Sequence, residues 1–417
     1  MQADPARSPA PVWARARELG TLRVLALCAL VILLEGFDLQ AAGVSAPRLA
    51  PEFHLLPVQI GWFLGASSLG IFLASVLGGI LADRFGRRPV VVAGVALFGC
   101  CSLLTLRAGG FGPLLAARFM TGMGLGLAMP AVIAMASDHS PAEWKKRAVG
   151  FIYCAIPIGA LLAGAVIQSG WFGQGWRSVY MVGGLAPILA APLLFILLPA
   201  AVNGASGEAR VETADRFLGG LLGREHARVT LALWLGTFGT LLVIYLLLGW
   251  MPTLLVGLGL QRGQVQYIQM AFNLGASLGA AVTGLLLDRS FTSSTLSVAY
   301  LGSALCLTLF GFMPLGFHSA QALAFVMGGT VTCAQAAIFA LAPLCYGRAV
   351  RTTGVGATVS AGRFGTVAGP LLAASLLSVG KSAAEVLIVL IPITLLSGLA
   401  VLLVARWSGR EAINSRA

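Results

Sequence analysis

Gly79-Ile80-Leu81-Ala82-Asp83-Arg84-Phe85-Gly86-Arg87-Arg88 ends one apolar run with an acid and an arginine, turns on a glycine, and opens the next run behind two more arginines. A shortened copy, Gly284-Leu285-Leu286-Leu287-Asp288-Arg289, closes another apolar run 205 residues later, without the Gly-Arg-Arg ending. A second echo has nearly the same offset: Arg147-Ala148-Val149-Gly150 and Arg351-Thr352-Thr353-Gly354 stand 204 residues apart. Two matches at one offset, each at the edge of an apolar run, point to a chain built as a duplicated half.

Of the 417 residues 58% are hydrophobic and 10% charged, where a soluble domain carries about 25% charged residues. So few charges cannot cover a water-facing surface, which excludes a soluble enzyme, a secreted scaffold and a nucleic-acid-binding domain. Cutting the chain at its Pro, Gly and charge clusters predicts twelve spans, near 22–44, 59–81, 90–107, 112–136, 148–170, 178–200, 228–250, 264–287, 295–316, 319–342, 354–378 and 384–405. Each is about 20 residues, the length that crosses a hydrocarbon core. The one long polar connection divides the chain into a tail (1–21), a six-helix bundle (22–200), a linker (201–227), a second six-helix bundle (228–405) and a closing tail (406–417). The predicted fold is an all-α membrane protein of two pseudo-symmetric six-helix bundles, with any substrate site between the repeats near the midplane.

The net charge of +12 serves orientation. Of 27 Lys and Arg, twenty fall on the side of the termini and five on the other, namely Arg48, Arg107, Arg177, Arg262 and Lys381. Basic residues near span ends stay cytoplasmic, so both termini are expected inside a bacterial inner membrane. The seven cysteines show no CxxC spacing, the four histidines fall in loops or at span edges, and no P-loop is present. Neither a metal, a disulfide framework, ATP nor another cofactor is expected.

Four ionisable residues remain inside the spans: Glu35, Asp38, Arg118 and Arg363. Each costs about 2.5–3.5 kcal/mol at mid-helix, a penalty that requires an offsetting use. Glu35 and Asp38, three apart, project from one helix face. Carboxylates that close in a low-dielectric site do not both ionise readily, so the pair suits carrying a proton; the structural alternative is that one acid only bridges an arginine. Asp38 and Arg118 each lie about 9 Å from the same end of their spans, so they can meet. Arg363 falls near the midplane, and its planar fork fits a carboxylate, which makes it the first candidate for gripping an anion. Arg118 then either supports that binding, couples it to the acids or anchors its helix. Tyr153, Tyr245, Asn273 and Gln335, with Trp250 and Tyr346, are suited to stacking on a ring or bonding a hydroxyl, and equally to helix packing.

Residues 79–88 resemble the second-to-third-helix loop signature of the major facilitator superfamily, and Arg118-Phe119-Met120-Thr121-Gly122-Met123-Gly124-Leu125-Gly126 its fourth-helix signature. The resemblance implies that Gly79, Asp83, Arg84, Gly86, Arg87 and Arg88 belong to a cytoplasmic gate held in the outward-facing state, with Asp288 and Arg289 a reduced counterpart. Glu35-Gly36-Phe37-Asp38-Leu39-Gln40-Ala41-Ala42-Gly43 is similar to the first-helix motif of the aromatic acid:proton symporters, in which two acids bracket a glycine and an aromatic residue. Glu35 stands where that pattern has Asp. The similarity continues through residues 153–159, Trp250-Met251-Pro252, Ala361-Gly362-Arg363-Phe364-Gly365 and Gly369-Pro370, and looks closest to the 3-(3-hydroxyphenyl)propionate permease branch.

The resemblance implies a monomeric proton-coupled symporter, not an enzyme, that imports a small aromatic carboxylate such as 3-(3-hydroxyphenyl)propionate by alternating access. Its partners would be that carboxylate, protons and the lipid bilayer. An efflux antiporter would use the same fold, but Ile156-Pro157-Ile158-Gly159 stands where proton antiporters of the superfamily carry a Gly-Pro pair. A non-transporting sensor of aromatic acids is disfavoured because the longest connection, 201–227, is too short for a signalling domain.

Overall fold

In hydrocarbon no water satisfies a backbone N–H, so each apolar run must close its hydrogen bonds within itself as a helix. The computed structural model describes residues 12–140, 152–170, 175–199, 223, 227–287, 292–346 and 350–414. These hold twelve α-helices: α1 (Val12–Glu52), α2 (Pro57–Phe85), α3 (Arg87–Thr105), α4 (Phe111–Asp138), α5 (Ala155–Ser169), α6 (Arg177–Leu197), α7 (Ala227–Gly257), α8 (Arg262–Leu287), α9 (Thr292–Phe312), α10 (Phe317–Leu341), α11 (Arg351–Ser378) and α12 (Ala383–Asn414). Among the described residues, eight are long and apolar enough to cross a bilayer, α2, α3, α4, α6, α7, α9, α10 and α12. α1 is longer than its predicted span, continuing through Pro47 and Pro51 to Glu52. Asp288, Arg289 and the linker 201–222 lie outside the described residues.

Glycine contacts make the duplication visible in three dimensions. In the first half, a Cβ on Gly36 would stand 2.0 Å from the Ile156 carbonyl oxygen, and one on Gly159 1.9 Å from that of Leu33, so α1 and α5 touch backbone to backbone. Their counterparts α7 and α11 do the same, through Gly365 against Phe238 O (2.2 Å) and Gly369 against Leu242 O (2.4 Å). The pattern recurs between α2 and α4, where Gly122 meets Ser67 O (2.1 Å), and between α8 and α10, where Gly275 meets Phe325 O (1.9 Å). Small residues at these crossings let helices approach where lipid supplies no hydrophobic drive. Gly86, the single residue between α2 and α3, has φ +88°. A side chain is strained there, which explains the glycine of the loop motif.

Among the described residues, the contacts between bundles gather at one end. A Cβ on Gly61 (α2) would lie 2.4 Å from Ala374 Cβ (α11), one on Gly164 (α5) 2.9 Å from Met270 Cγ (α8), and one on Gly43 (α1) 2.4 Å from Leu248 O (α7). All three contacts lie in the half nearest Gly110, the residue before α4. Along α2 the last ring contact is Phe72 with Phe364, centroids 5.0 Å apart. Further toward Gly86, Val76 is 68% exposed and a Cβ on Gly79 or Gly356 would meet nothing within 4 Å. The described residues are therefore closed together at the Gly110 end and splayed at the Gly86 end.

Replacing Gly159 with Val should separate α1 from α5 and lower stability by about 1–3 kcal/mol or more. Gly263→Ala, where a Cβ meets nothing within 4 Å, serves as the control. Thermal unfolding in detergent checks this: equal midpoints for the two variants would contradict the packing account.

Candidate functional site

Arg118 and Asp38 meet inside the first bundle, as their matched depth predicts. Arg118 Nη1 donates to Asp38 Oδ1 at 2.8 Å and Nη2 to the Asp38 backbone oxygen at 3.3 Å. The side chains are 1% and 0% exposed. The Phe63 and Tyr180 rings stand 6.0 and 5.9 Å from the guanidinium carbon, close enough for cation–π attraction. Tyr180 bonds Ser45 at 3.0 Å and packs edge-on against Trp176, whose indole N–H donates to Glu52 at 2.6 Å; Arg177 pairs with the same carboxylate. One chain of contacts thus bolts α1, α4 and α6 together. Arg118, whose sequence position allows substrate binding, coupling or anchoring, is enclosed within its own bundle.

Arg363 stands elsewhere. Its guanidinium lies within electrostatic range of Glu35, Tyr153 and Tyr245, with the Tyr245 hydroxyl as hydrogen-bonding neighbour. Glu35 comes from α1, Tyr245 from α7 and Arg363 from α11, while Tyr153 stands just before α5, so the group joins both bundles. Glu35 is 3% exposed and Tyr153 37%. The tyrosine is therefore partly exposed while the acid is enclosed. Among buried atoms, Glu35 Oε2, Asp38 Oδ2 and Arg118 Nε have no hydrogen-bond partner. Asp38 is bonded to Arg118, whereas Glu35 feels the charge of Arg363 across the seam between bundles.

The remaining candidates separate. Asn273 Nδ2 donates to Gln40 Oε1 at 3.3 Å, an inter-bundle contact that also includes Gln269. Neither Gln40 nor Gln269 was singled out by charge, because a neutral amide leaves no mark in a count of ionisable residues. The signal that reveals them is helical spacing: Gln266, Gln269 and Asn273 form one buried polar stripe on α8. Gln335 is half-buried on α10, away from these contacts. Trp250 and Tyr346 are buried, the first donating to the Pro370 carbonyl oxygen at 3.0 Å and the second to Thr230 Oγ1 at 3.2 Å. At the Gly86 end, Arg87 pairs with Asp138, Arg88 lies 4.3 Å from the Phe195 ring centre and Arg84 5.3 Å from that of Phe85. These contacts stay within the first bundle, and Asp83 is exposed.

A fold of two six-helix halves with charged groups facing across the seam agrees with the sequence comparison: residues 28–370 match the profile described as Major Facilitator Superfamily. The chain belongs to the Major Facilitator Superfamily. It is a multi-pass membrane transporter, not an enzyme. The transporter is 40% identical over 377 residues to the 3-(3-hydroxy-phenyl)propionate transporter of Escherichia coli (strain K12), which covers 90% of this chain and 92% of that one. It is 31% identical to the gallate transporter of Pseudomonas putida, over 86% of each chain. Against the 4-hydroxybenzoate transporter of Pseudomonas aeruginosa the identity is also 31%, over 91% of this chain and 92% of the other. Among solved structures, a bacterial homolog of the human lysosomal transporter Spinster aligns with a TM-score of 0.76 at 16% identity, over 93% of this chain and 97% of that one. A D-xylose-proton symporter aligns with a TM-score of 0.71 at 17% identity, over 90% and 97%. At these identities the structures speak for the fold alone.

Removing one member of a buried ion pair strands the other, at a cost of about 3–5 kcal/mol. Arg118→Met alone should therefore lower the thermal midpoint sharply, and adding Asp38→Leu should recover much of the loss. A double variant no more stable than the single one would show that the pair is not what holds α1 to α4.

Proposed function

We propose that the transporter is a proton-coupled symporter that imports a small aromatic carboxylate, of the kind named in its relatives, with 3-(3-hydroxyphenyl)propionate as the first candidate. The observation that carries the reading is that Glu35 and Arg363, from opposite bundles, lie close enough to act on each other's charge. An ionised Glu35 therefore competes with a substrate anion for that guanidinium. A proton on Glu35 removes that competitor and frees the fork of Arg363 for the substrate carboxylate. Proton and anion thus favour each other's binding without direct contact, and together they add no net charge. Tyr153 and Tyr245 flank the same guanidinium, where an aromatic face or a hydroxyl can meet the ring of the substrate.

Asp38 and Arg118 have a different part. Their pair keeps α1 fixed to its bundle, and the free oxygen of Asp38 lies near enough to Glu35 to act on its charge. The pair therefore holds the proton site in place and passes the proton, while Arg363 alone grips the anion. The basic residues gathered at the Gly86 end support reading that end as cytoplasmic, and on that reading the splayed arrangement is inward-facing with both termini inside. In the outward-facing state Asp83, Arg84 and Arg87 would close the cytoplasmic end, with Asp288 and Arg289 at the equivalent position of the second half. One proton with one monoanion gives about 1.36 kcal/mol, roughly tenfold accumulation, per pH unit.

Transport of labelled 3-(3-hydroxyphenyl)propionate, gallate and 4-hydroxybenzoate into proteoliposomes tests this. An inward proton gradient should drive uphill accumulation of at least one of them in the wild type. Glu35→Gln should lose the uphill phase and retain substrate exchange; retained accumulation in that variant would refute the coupling role. Arg363→Lys, with a point charge in place of the fork, should raise KM by about tenfold or more for the loss of one charge-assisted bond. An unchanged KM would assign Arg363 to packing.

A further inference from the structure

Three hydrogen bonds between the bundles end on one side chain. Gln40 Oε1 accepts from Gln269 Nε2 at 3.2 Å and from Asn273 Nδ2 at 3.3 Å, and Gln40 Nε2 donates to the Leu248 backbone oxygen at 3.3 Å. Gln40 and Gln269 are 0% exposed and Asn273 1%. The third bond has a cause in the sequence. Leu248 O would ordinarily bond the N–H four residues on, but residue 252 is proline, which has none. Pro252 thus leaves a bare carbonyl on α7, and Gln40 from the other bundle satisfies it. Gly43, one turn along α1, permits the approach, since a Cβ there would lie 2.4 Å from the same oxygen.

We propose that Gln40 is the latch of the gate at the Gly110 end and the residue through which that gate follows the proton site. Gln40 follows Asp38 by two residues and Glu35 by five on one helix, which Gly36 and Gly159 lock to α5. Any shift of α1 that accompanies protonation or substrate binding moves the latch with it. The latch is also incompletely satisfied: Gln266 Oε1 and Gln269 Oε1 are buried beside it with no hydrogen-bond partner. Opening gives both oxygens access to water while breaking the three bonds to Gln40. These opposing terms keep closure reversible, as a gate that must open in every cycle requires. The link to the proton site rests on the symport reading above; the latch itself rests on the contacts alone.

The test uses the full chain, purified in detergent without substrate, so that it does not depend on which solute is carried. A single cysteine replaces Ala374, which is 0% exposed and faces Gly61 across the closed seam, in a background with the seven native cysteines removed. Its rate of reaction with a soluble maleimide reports opening at the Gly110 end. Gln40→Leu should raise that rate at least about fivefold, the equilibrium value of a single net hydrogen bond. Gln269→Leu should raise it less, and the double variant no further than Gln40→Leu, because both changes break the same bond. An unchanged rate in a folded Gln40→Leu protein would overturn the proposal, as would additive effects of the two changes. If Gln40→Leu does not fold, an unchanged rate in Gln269→Leu decides against the latch. A raised KM with an unaltered labelling rate would make Gln40 a substrate ligand and also refute it. Glu35→Gln should change the labelling rate when Gln40 is present and not when Leu replaces it; an equal response in both backgrounds would refute the link to the proton site.

Discussion

A guanidinium in hydrocarbon is too costly to stand without a carboxylate, and this protein places one beside each of its two intramembrane arginines. The two couples are built differently. Arg118 and Asp38 are bonded directly, share a bundle and are enclosed by Phe63 and Tyr180. Glu35 and Arg363 act on each other's charge across the seam between bundles without a direct bond. Excellent geometry and exclusion of water make the first couple a fixture. The second is divided between the two bundles, which is why the proposed symport assigns to it the exchange of proton and anion.

Bundle rigidity and seam mobility have a common origin in glycine. Within each half, backbone-to-backbone crossings such as Gly36 on Ile156 and Gly365 on Phe238 leave no room for independent movement of neighbouring helices. Between halves the closed end combines one such crossing, Gly43 on Leu248, with apolar side chains and the amides grouped around Gln40. The duplicated architecture thus yields two six-helix bodies joined at one end, the arrangement that rocking about a central site requires. α1 belongs to both systems: it is locked to α5 and carries Glu35, Asp38 and Gln40 in succession.

Much of this was legible in the sequence because the membrane enforces simple rules. Apolar runs had to be helices, so the twelve elements fall close to their expected positions. The depth of Asp38 and Arg118 foretold their meeting because helical rise is fixed. α1 was misjudged in length since hydropathy reports where lipid begins and not where a helix stops, and its last residues reach Glu52. The doublet of acids also divides in three dimensions: Glu35 and Asp38 share a helix face, but Asp38 is bonded to Arg118 while Glu35 lies within electrostatic reach of Arg363, which no spacing along one helix reveals. Gln40 escaped notice because amides are cheap enough not to demand an explanation, although the bare carbonyl that Pro252 creates could have been read from the chain. Which end is closed was not legible at all, for it depends on a small difference between two packings of the same residues.

The central claim is that substrate displaces Glu35 from Arg363 and that the displaced carboxylate takes a proton. Proton uptake on substrate binding measures this most directly, by following a pH indicator in a weakly buffered solution of the purified protein as 3-(3-hydroxyphenyl)propionate is added. The account predicts alkalinisation that saturates with binding in the wild type and is lost in Glu35→Gln, although that variant still binds. Binding by the wild type without proton uptake, or equal uptake by both proteins, would contradict it.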